Sequence, residues 1–242
     1  MESYSFTDKG LREINEDSIG FKSLGDRSLY IVADGLGGHD RGEVASKLAV
    51  DTFLDIFENE YNADTFVSDA MNATQNKLKE EQEKLGENSQ MKTTVVCLLI
   101  DGDKYKYANV GDSRLYAVSK SLFTKKLVRM TRDHSVLQVL LDTGEITEEE
   151  MRFHPDRNRL LRALGSEMPE KFFNESEWIK KDGIVGFYLC SDGAWEGVSD
   201  EEILDAFASS KSATETGTII KKHVMEHLEE TGDNNSGIIV RL

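Results

Sequence analysis

The stretch LYIVADGLGG (residues 29–38) joins an apolar, strand-like run to an aspartate and then to a glycine-rich turn. Three other segments repeat this pattern: YANVGDSRLY around Asp112, FYLCSDGAWEG around Asp192 and TGDNNSGIIV around Asp233. A single Asp-Gly or Gly-Asp pair beside a strand is a common turn signal. Because the pattern occurs four times, beginning with Asp34, it indicates that the four aspartates have a common function in addition to forming turns.

Short alternating or apolar runs elsewhere predict a β-rich chain. They lie near residues 2–8, 17–23, 28–33, 93–101, 104–110, 113–119, 125–130, 184–190 and 236–242. Helical periodicity predicts one helix after Asp40, a second over about 64–85, a third after the Ser199/Glu202 capping pattern and a fourth over 213–230. Strands in runs and helices in pairs favour an α+β fold, with an antiparallel β core covered by helices.

No internal repeat, low-complexity tract or linker divides the chain, so we expect residues 1–242 to form a single domain. The segment at about 142–175 differs from the rest. It holds both prolines, Pro155 and Pro169, a short Thr147/Glu150 capping signal and the polar string FHPDRNRLLRALG. We predict that this segment is an irregular flap.

The composition argues against several classes of partner. Of 242 residues, 45 are acidic and 29 are basic, which gives a formal net charge of −16. This charge would repel nucleic acids and anionic membranes. We find neither a secretory signal nor a membrane span of about 20 apolar residues, so a soluble protein is expected. Cys97 and Cys190 each lie in an apolar run, which favours a reducing compartment, the cytoplasm.

The four aspartates are candidates for a metal site. If the strand ends that carry them meet at one edge of the β core, their carboxylates share a small volume. Mutual repulsion would then raise their pKa values unless cations neutralise them. Oxygen ligands, without a His/Cys cluster at zinc spacing, favour magnesium or manganese.

An acidic pair and an arginine occur near the start, in GLREINEDSIGF (residues 10–21). Arg12 precedes Glu16 and Asp17 by four and five residues. Two interpretations are open. One is a surface salt bridge of about 1 kcal/mol or less, and the other is a bidentate clamp on phosphate oxygens beside bound metals.

Eight motifs between Arg12 and Ser236 together resemble the bacterial members of the metal-dependent protein phosphatase 2C family. In chain order they are RxxNED, VADGxGGH, TTVV, VGDSRLY, TRDHS, NRLLRALG, CSDGxWE and GDNNS. The resemblance implies a β-sandwich of two antiparallel sheets flanked by pairs of antiparallel helices. It also implies a serine/threonine phosphoprotein phosphatase in which a metal-activated bridging water attacks phosphorus.

The resemblance further implies which residues bind two Mn²⁺ or Mg²⁺ ions. Asp34 would bridge both ions, the Gly35 carbonyl would bind one of them, and Asp192 and Asp233 would bind the other. Asp112, together with Asp192, would hold a third, weaker ion.

The remaining motif positions imply roles around these ions. Glu16 and Asp17 would act mainly through metal-bound waters. Arg12 matches the phosphate-binding arginine of the family, so the resemblance favours the clamp and makes Arg12 a substrate-binding residue. Arg12, Asp17 and Asp34 would form the catalytic set.

The chain departs from the animal branch of the family at one position. There a histidine that follows the first Asp-Gly is assigned the role of proton donor, whereas this chain has Leu36. His39 is an alternative donor, although a histidine in a glycine-rich turn is more often a polar loop residue. A metal-bound water is the preferred donor.

Two other functions compete with the phosphatase. A pseudophosphatase that serves as a regulatory module predicts damaged ligand positions, but Asp34, Gly35, Asp192 and Asp233 are all present. A metal-dependent hydrolase of small phosphate esters is the other alternative, and the chain lacks a nucleotide-type P-loop. The expected partners are phosphorylated proteins, with a serine/threonine kinase as the opposing enzyme, and the expected state is a monomer.

Overall fold

The computed structural model describes residues 1–36, 41–86, 91–120, 125–152 and 154–242. Its strands are β1 (Glu2–Asp8), β2 (Asp17–Leu24), β3 (Arg27–Leu36), β4 (Lys92–Thr93), β5 (Val95–Asp101), β6 (Lys104–Val110), β7 (Arg114–Lys120), β8 (Lys125–Arg129), β9 (Asn174–Glu175), β10 (Ile179–Lys180), β11 (Ile184–Cys190) and β12 (Asn235–Arg241). Its helices are α1 (Gly42–Asn59), α2 (Phe66–Leu85), α3 (Val136–Asp142), α4 (Glu148–Met151), α5 (Asp192–Glu196), α6 (Asp200–Ser209), α7 (Ala213–Glu226) and α8 (Leu228–Thr231).

Every predicted strand and helix is present within a few residues of its expected bounds. The elements that the sequence did not predict are short: three strands of two residues, β4, β9 and β10, and the helices α3 and α5. The first helix begins at Gly42, as expected. Asp40, which the prediction placed before it, lies outside the described residues.

The strands form two antiparallel sheets. One follows the order β1-β12-β11-β7-β8, and the other follows β10-β6-β5-β3-β2, with β4 paired to β3 and β9 paired to β6. In β3, Leu29 and Ile31 pack towards α1 and α2, whereas Tyr30 and Val32 pack between the two sheets. Because successive side chains point to opposite faces, a strand that is apolar on both faces is buried on both.

A pair of antiparallel helices covers the outer face of each sheet. On the seven-stranded sheet, the rings of Phe57 in α1 and Phe66 in α2 lie 5.8 Å apart, and Lys77 of α2 reaches back to Thr52 of α1. On the five-stranded sheet, α6 and α7 pack with α5 over an apolar cluster that includes Phe207. The predicted α+β sandwich is therefore confirmed.

The topology gathers several strand ends on one side of the sandwich. The end of β3 lies beside the start of β2 because the two strands are antiparallel neighbours, and β5 brings the end of β6 to the same side. In the other sheet, the end of β11 lies beside the start of β12. Asp34, Asp112, Asp192 and Asp233 are located at these four points.

The flap segment (residues 142–175) contains α4 and β9, and its other described residues are irregular. The Thr147/Glu150 capping box at the start of α4 is present. The contacts that attach the flap to the body include Arg152 Nη1, which donates to the Val198 carbonyl at 2.8 Å, Gly165 N, which donates to Gln75 Oε1 of α2 at 2.8 Å, and the pairing of Leu164 with Thr93. The flap is thus irregular in conformation but anchored in both its first and its second half.

Two further observations bear on the sequence predictions. Cys97 and Cys190 are both buried as free thiols in separate apolar clusters. Among the helices within the described ranges, none combines the length and apolarity required to cross a bilayer.

Candidate active site

One cavity of about 140 Å³ opens at the gathered strand ends. Its lining contains seven of the eight residues predicted for the site: Arg12, Glu16, Asp34, Gly35, Asp112, Asp192 and Asp233. The eighth, Asp17, is buried behind the lining and is 7% exposed. The structure therefore brings together side chains that are separated by up to 221 residues of sequence.

Asp34 and Gly35 end β3 and are fixed through their backbone. The Asp34 amide donates to Thr94 Oγ1 at 3.1 Å, and its carbonyl accepts from the Thr94 amide at 2.8 Å. Position 35 has no space for a side chain, since a Cβ would lie 2.2 Å from the Gly42 carbonyl oxygen and 2.6 Å from that of Glu16. Glycine here allows α1 and the loop before β2 to approach the end of β3.

Asp17 lies directly opposite Asp34 in the β2–β3 ladder. Its Oδ2 accepts a hydrogen bond from Ser191 Oγ at 2.8 Å, whereas its Oδ1 is buried without a hydrogen-bond partner among the described residues. Burial raises the pKa of Asp17 to about 7, and repulsion by Asp192 and Asp233 adds to this. An unsatisfied carboxylate oxygen at this depth is costly unless a bound group satisfies it.

Asp192 begins α5, and its Oδ1 accepts from the Gly193 amide at 2.6 Å. Its carboxyl group also shares a hydrogen bond with that of Asp34. Burial raises the pKa of both groups, and repulsion by the neighbouring carboxylates raises that of Asp34 further.

Asp112 follows β6 and is 5% exposed. Its carbonyl accepts from Trp195 Nε1 at 3.1 Å, and Arg114 stacks on the Trp195 ring, with Cζ 3.4 Å from the centroid. Burial and the charge of Asp192 hold the pKa of Asp112 well above its usual range, although Arg114 opposes this. Asp112, which was predicted to hold a third ion, is thus electrostatically coupled to the other carboxylates of the cavity.

Arg12 is paired with Asp233 in a bidentate geometry. Its Nε donates to Asp233 Oδ1 at 3.0 Å and its Nη2 donates to Oδ2 at 2.8 Å. This contact raises the pKa of the Arg12 guanidinium. Arg12 therefore forms a salt bridge here, as one of the two interpretations expected, but with Asp233 rather than with the nearby acidic pair.

Asn234 is a residue that the sequence prediction missed. It is 6% exposed, and its Nδ2 donates to the carbonyls of Lys9 and Ile14 at 2.8 and 2.9 Å, while its Oδ1 accepts from the Glu16 amide at 2.8 Å. These three bonds fix the loop that carries Arg12. The only sequence signal was its place in GDNNS, directly after a candidate ligand.

The flap also contributes to the cavity through Asn158 and Leu160, which belong to the NRLLRALG motif but had been given no role in the site. Behind it, Arg157 Nε lies 3.5 Å from Glu196 Oε2. Burial and the charge of Asp192 raise the pKa of Glu196 to about 8. Leu36 lines the cavity in place of the histidine of the animal branch. His39, the alternative proton donor, lies outside the described residues.

The donor set fits a hard divalent cation in its chemistry. The cavity supplies carboxylate and carbonyl oxygens, Asp17 has an unsatisfied buried oxygen, and one arginine faces several acidic groups. Within the described residues, however, no three Asp, Glu, His or Cys side chains are already placed to hold an ion. Asp34 is bonded to Asp192, and Asp233 to Arg12, so a bound cation would compete with these contacts for the carboxylate oxygens.

A four-layer sandwich with clustered carboxylates and an arginine at one end is the arrangement that the sequence motifs predicted for a metal-dependent phosphatase. Within that class, the family model for protein phosphatase 2C matches residues 10–231. The chain therefore belongs to the protein phosphatase 2C family, as its motifs predicted.

Named relatives agree with this assignment. The serine/threonine phosphatase Stp of Listeria welshimeri is 33% identical over 221 residues, which cover 88% of this chain and 85% of the relative. The serine/threonine protein phosphatase PstP of Mycobacterium tuberculosis is 32% identical over 218 residues. That match covers 89% of this chain but only 40% of PstP, so the chain spans less than half of that relative's length.

Solved structures show the same fold. The serine/threonine phosphatase Stp1 from Staphylococcus aureus superimposes with a TM-score of 0.88 at 29% identity, covering 100% of this chain and 94% of that one. The catalytic domain of PstP in complex with two manganese ions gives a TM-score of 0.81 at 28% identity, covering 99% of this chain and 97% of that one.

Proposed function

We propose that this chain is a serine/threonine phosphoprotein phosphatase that depends on Mn²⁺ or Mg²⁺. The observation that carries the proposal is the convergence of Asp34, Asp112, Asp192 and Asp233 with Arg12 on one small cavity. The named relatives, which are serine/threonine phosphatases, support it. The intact acidic positions argue against a pseudophosphatase.

The proposed metal ligands are those implied by the family motifs. Asp34 would contact two ions, the Gly35 carbonyl one of them, and Asp192 and Asp233 the other. Asp112 would hold a third ion together with Asp192. The manganese complex of the PstP catalytic domain supports two ions as the basic complement.

The other acidic residues of the set would act from behind the ligands. Glu16 and Asp17 would orient water at the site, and the hydrogen bond from Ser191 already fixes the direction of the Asp17 carboxyl group. When bound, divalent cations supply an acidified water as nucleophile and neutralise charge on the phosphoryl oxygens.

Arg12 is the positively charged side chain that the protein itself contributes to the cavity. A guanidinium group matches the geometry of two phosphoryl oxygens, as it now matches the two oxygens of Asp233. Arg12 would hold the phosphoryl group while the serine or threonine oxygen leaves. Because the Leu36 side chain has no ionisable proton to donate, the leaving oxygen would take its proton from water in the cavity.

Turnover of a phosphothreonine peptide with Mn²⁺ tests the proposal. Asp192→Asn keeps the shape of the side chain but removes its charge, and we expect it to lower kcat/KM by at least about a hundredfold, since even outer-shell partners of a metal contribute 10- to 100-fold. Asp205→Asn, at an exposed position of α6, is the matched control and should retain wild-type turnover. Equal rates for Asp192→Asn and wild type, with both folded, would refute the proposed site.

We also propose the wider setting that the sequence suggested. Residues 1–242 would act as one catalytic unit that includes the flap, in the cytoplasm and as a monomer. Its substrates would be phosphorylated proteins, and a serine/threonine kinase would oppose it. Size-exclusion chromatography with light scattering tests the monomer, and a dimer at micromolar concentration would contradict it.

A further inference from the structure

The catalytic cavity is too small to enclose a peptide. Its volume of about 140 Å³ falls below the roughly 300–1,000 Å³ of sites that enclose drug-sized ligands. It suits a phosphoryl group and a few waters. If the substrate is a phosphoprotein, as proposed above, the residues on either side of the phosphorylated one must therefore lie on the surface around the cavity.

Three large aliphatic side chains are exposed on that surface. Leu11 and Ile14 flank Arg12 in the loop between β1 and β2 and are 66% and 52% exposed. Leu161, which follows the cavity residue Leu160 in the flap, is 57% exposed. A single exposed leucine is ordinary on a protein surface. Three of them beside two walls of one catalytic cavity form a group, which we call the aliphatic rim (Leu11, Ile14 and Leu161).

The backbone under the aliphatic rim is fixed, so its exposure does not result from a loose loop. The Leu11 amide donates to the Gly232 carbonyl at 3.3 Å, and the Ile14 carbonyl accepts from Asn234 at 2.9 Å. On the flap side, the Leu161 amide donates to the His134 carbonyl at 2.8 Å. Rigid backbone that presents apolar side chains binds a partner with little loss of conformational entropy.

The hydrogen bonds also place the two parts of the rim at different ends of the cavity. Leu11 is bonded beside Gly232, the neighbour of Asp233. Leu161 is bonded to His134, whose Nδ1 accepts from the amide of Gly111, the neighbour of Asp112. A peptide whose phosphorylated side chain enters the cavity can therefore meet aliphatic groups on both sides.

We propose that the aliphatic rim selects phosphorylated serine or threonine residues that are flanked by aliphatic side chains. Burying rim and substrate side chains against each other removes apolar surface from water. The net charge of −16 disfavours acidic flanking residues, which the protein would repel, and the three rim side chains carry no charge that could pair with basic ones. Leu11, Ile14 and Leu161 are thus specificity-determining residues of the proposed phosphatase.

Two phosphothreonine peptides test the proposal. They are identical except that the residues flanking phosphothreonine are leucine in one and serine in the other. With Mn²⁺, wild type should favour the leucine peptide by about fivefold or more in kcat/KM. Leu11→Ser, Ile14→Ser and Leu161→Ser should each lower this ratio by about two- to fivefold, mainly through KM, because the contact exists before and during the reaction.

A matched control separates the rim from apolar surface in general. Val128, on the edge strand β8, is 39% exposed, and Val128→Ser should keep the wild-type ratio. A ratio near one in wild type, or an unchanged ratio in the triple rim variant, would overturn the proposal while p-nitrophenyl phosphate is still hydrolysed. Absence of turnover for both peptides and for p-nitrophenyl phosphate would instead refute the phosphatase itself.

Discussion

The bidentate pair between Arg12 and Asp233 predicts that removing the arginine strengthens cation binding. Both Asp233 oxygens accept from Arg12, at 3.0 and 2.8 Å, so an ion that binds Asp233 competes with the guanidinium for the negative charge and lone pairs of the carboxylate. In Arg12→Met, the Asp233 carboxylate has no such competitor. Arg12→Lys keeps the positive charge but cannot form the same two-pronged contact, and its effect should be intermediate.

The size of the effect follows from exposure. The Arg12 side chain is 53% exposed and that of Asp233 is 25% exposed. Measured ion pairs of this kind contribute about 0.2–1 kcal/mol, because water competes for both partners. The upper end corresponds to about a fivefold gain in affinity for the ion that Asp233 binds.

Isothermal titration calorimetry with Mn²⁺ measures the change directly. Removing any positive charge near the cavity should also strengthen cation binding. Arg157→Met controls for this general effect, since Arg157 pairs with Glu196 and not with Asp233. Arg12→Met should exceed Arg157→Met by about two- to fivefold in affinity. Equal gains in both variants, or a weaker affinity in Arg12→Met, would refute the role of the pair.

Two further predictions concern the metal-free protein. The pKa of Asp17 is raised from 3.8 to about 7, so its contribution to stability is complete below about pH 4 and is lost as the pH rises through about 7. Urea unfolding should show a slope of at most about 1.4 kcal/mol per pH unit from this proton, and Asp17→Asn should flatten it; an unchanged slope would contradict the assignment. Asn234→Ala removes three partly buried hydrogen bonds and should lower the free energy of unfolding by about 1–3 kcal/mol, whereas Asn59→Ala, at an exposed position of α1, should change it by less than about 0.5 kcal/mol. Similar losses in the two asparagine variants would contradict the role given to Asn234.

Much of the fold could be predicted because local patterns determine it. The apolar run at β3 and the capping boxes of α4 and α6 can be recognised from residues that are close together in the sequence, and the structure contains all three. The gathering of Asp34, Asp112, Asp192 and Asp233 was also predictable. An aspartate at the end of one antiparallel strand lies near the start of the next, so the repeated motif implied a common edge.

Partner choice within the site was not predictable from local patterns. Arg12 and Asp233 are 221 residues apart, and nothing local distinguishes Asp233 from Glu16 as the partner of Arg12. In the sequence, Asn234 looks like an ordinary turn residue, and only the structure shows the three backbone groups that its side chain bonds. Asn158 lies at the cavity because the residues after it pair with the start of α3, where Val136 N donates to the Arg159 carbonyl at 2.9 Å, and such tertiary contacts are not readable from local patterns.

The hydrogen bond between Asp17 and Ser191 has a mechanical consequence. Asp17 belongs to the seven-stranded sheet, whereas Ser191 follows β11 of the five-stranded sheet, so this contact joins the two halves of the sandwich behind the lining of the cavity. A change in the interior that slides one half against the other would be transmitted to the acidic groups. We therefore expect interior substitutions that shift one sheet against the other to change the geometry of these acidic groups.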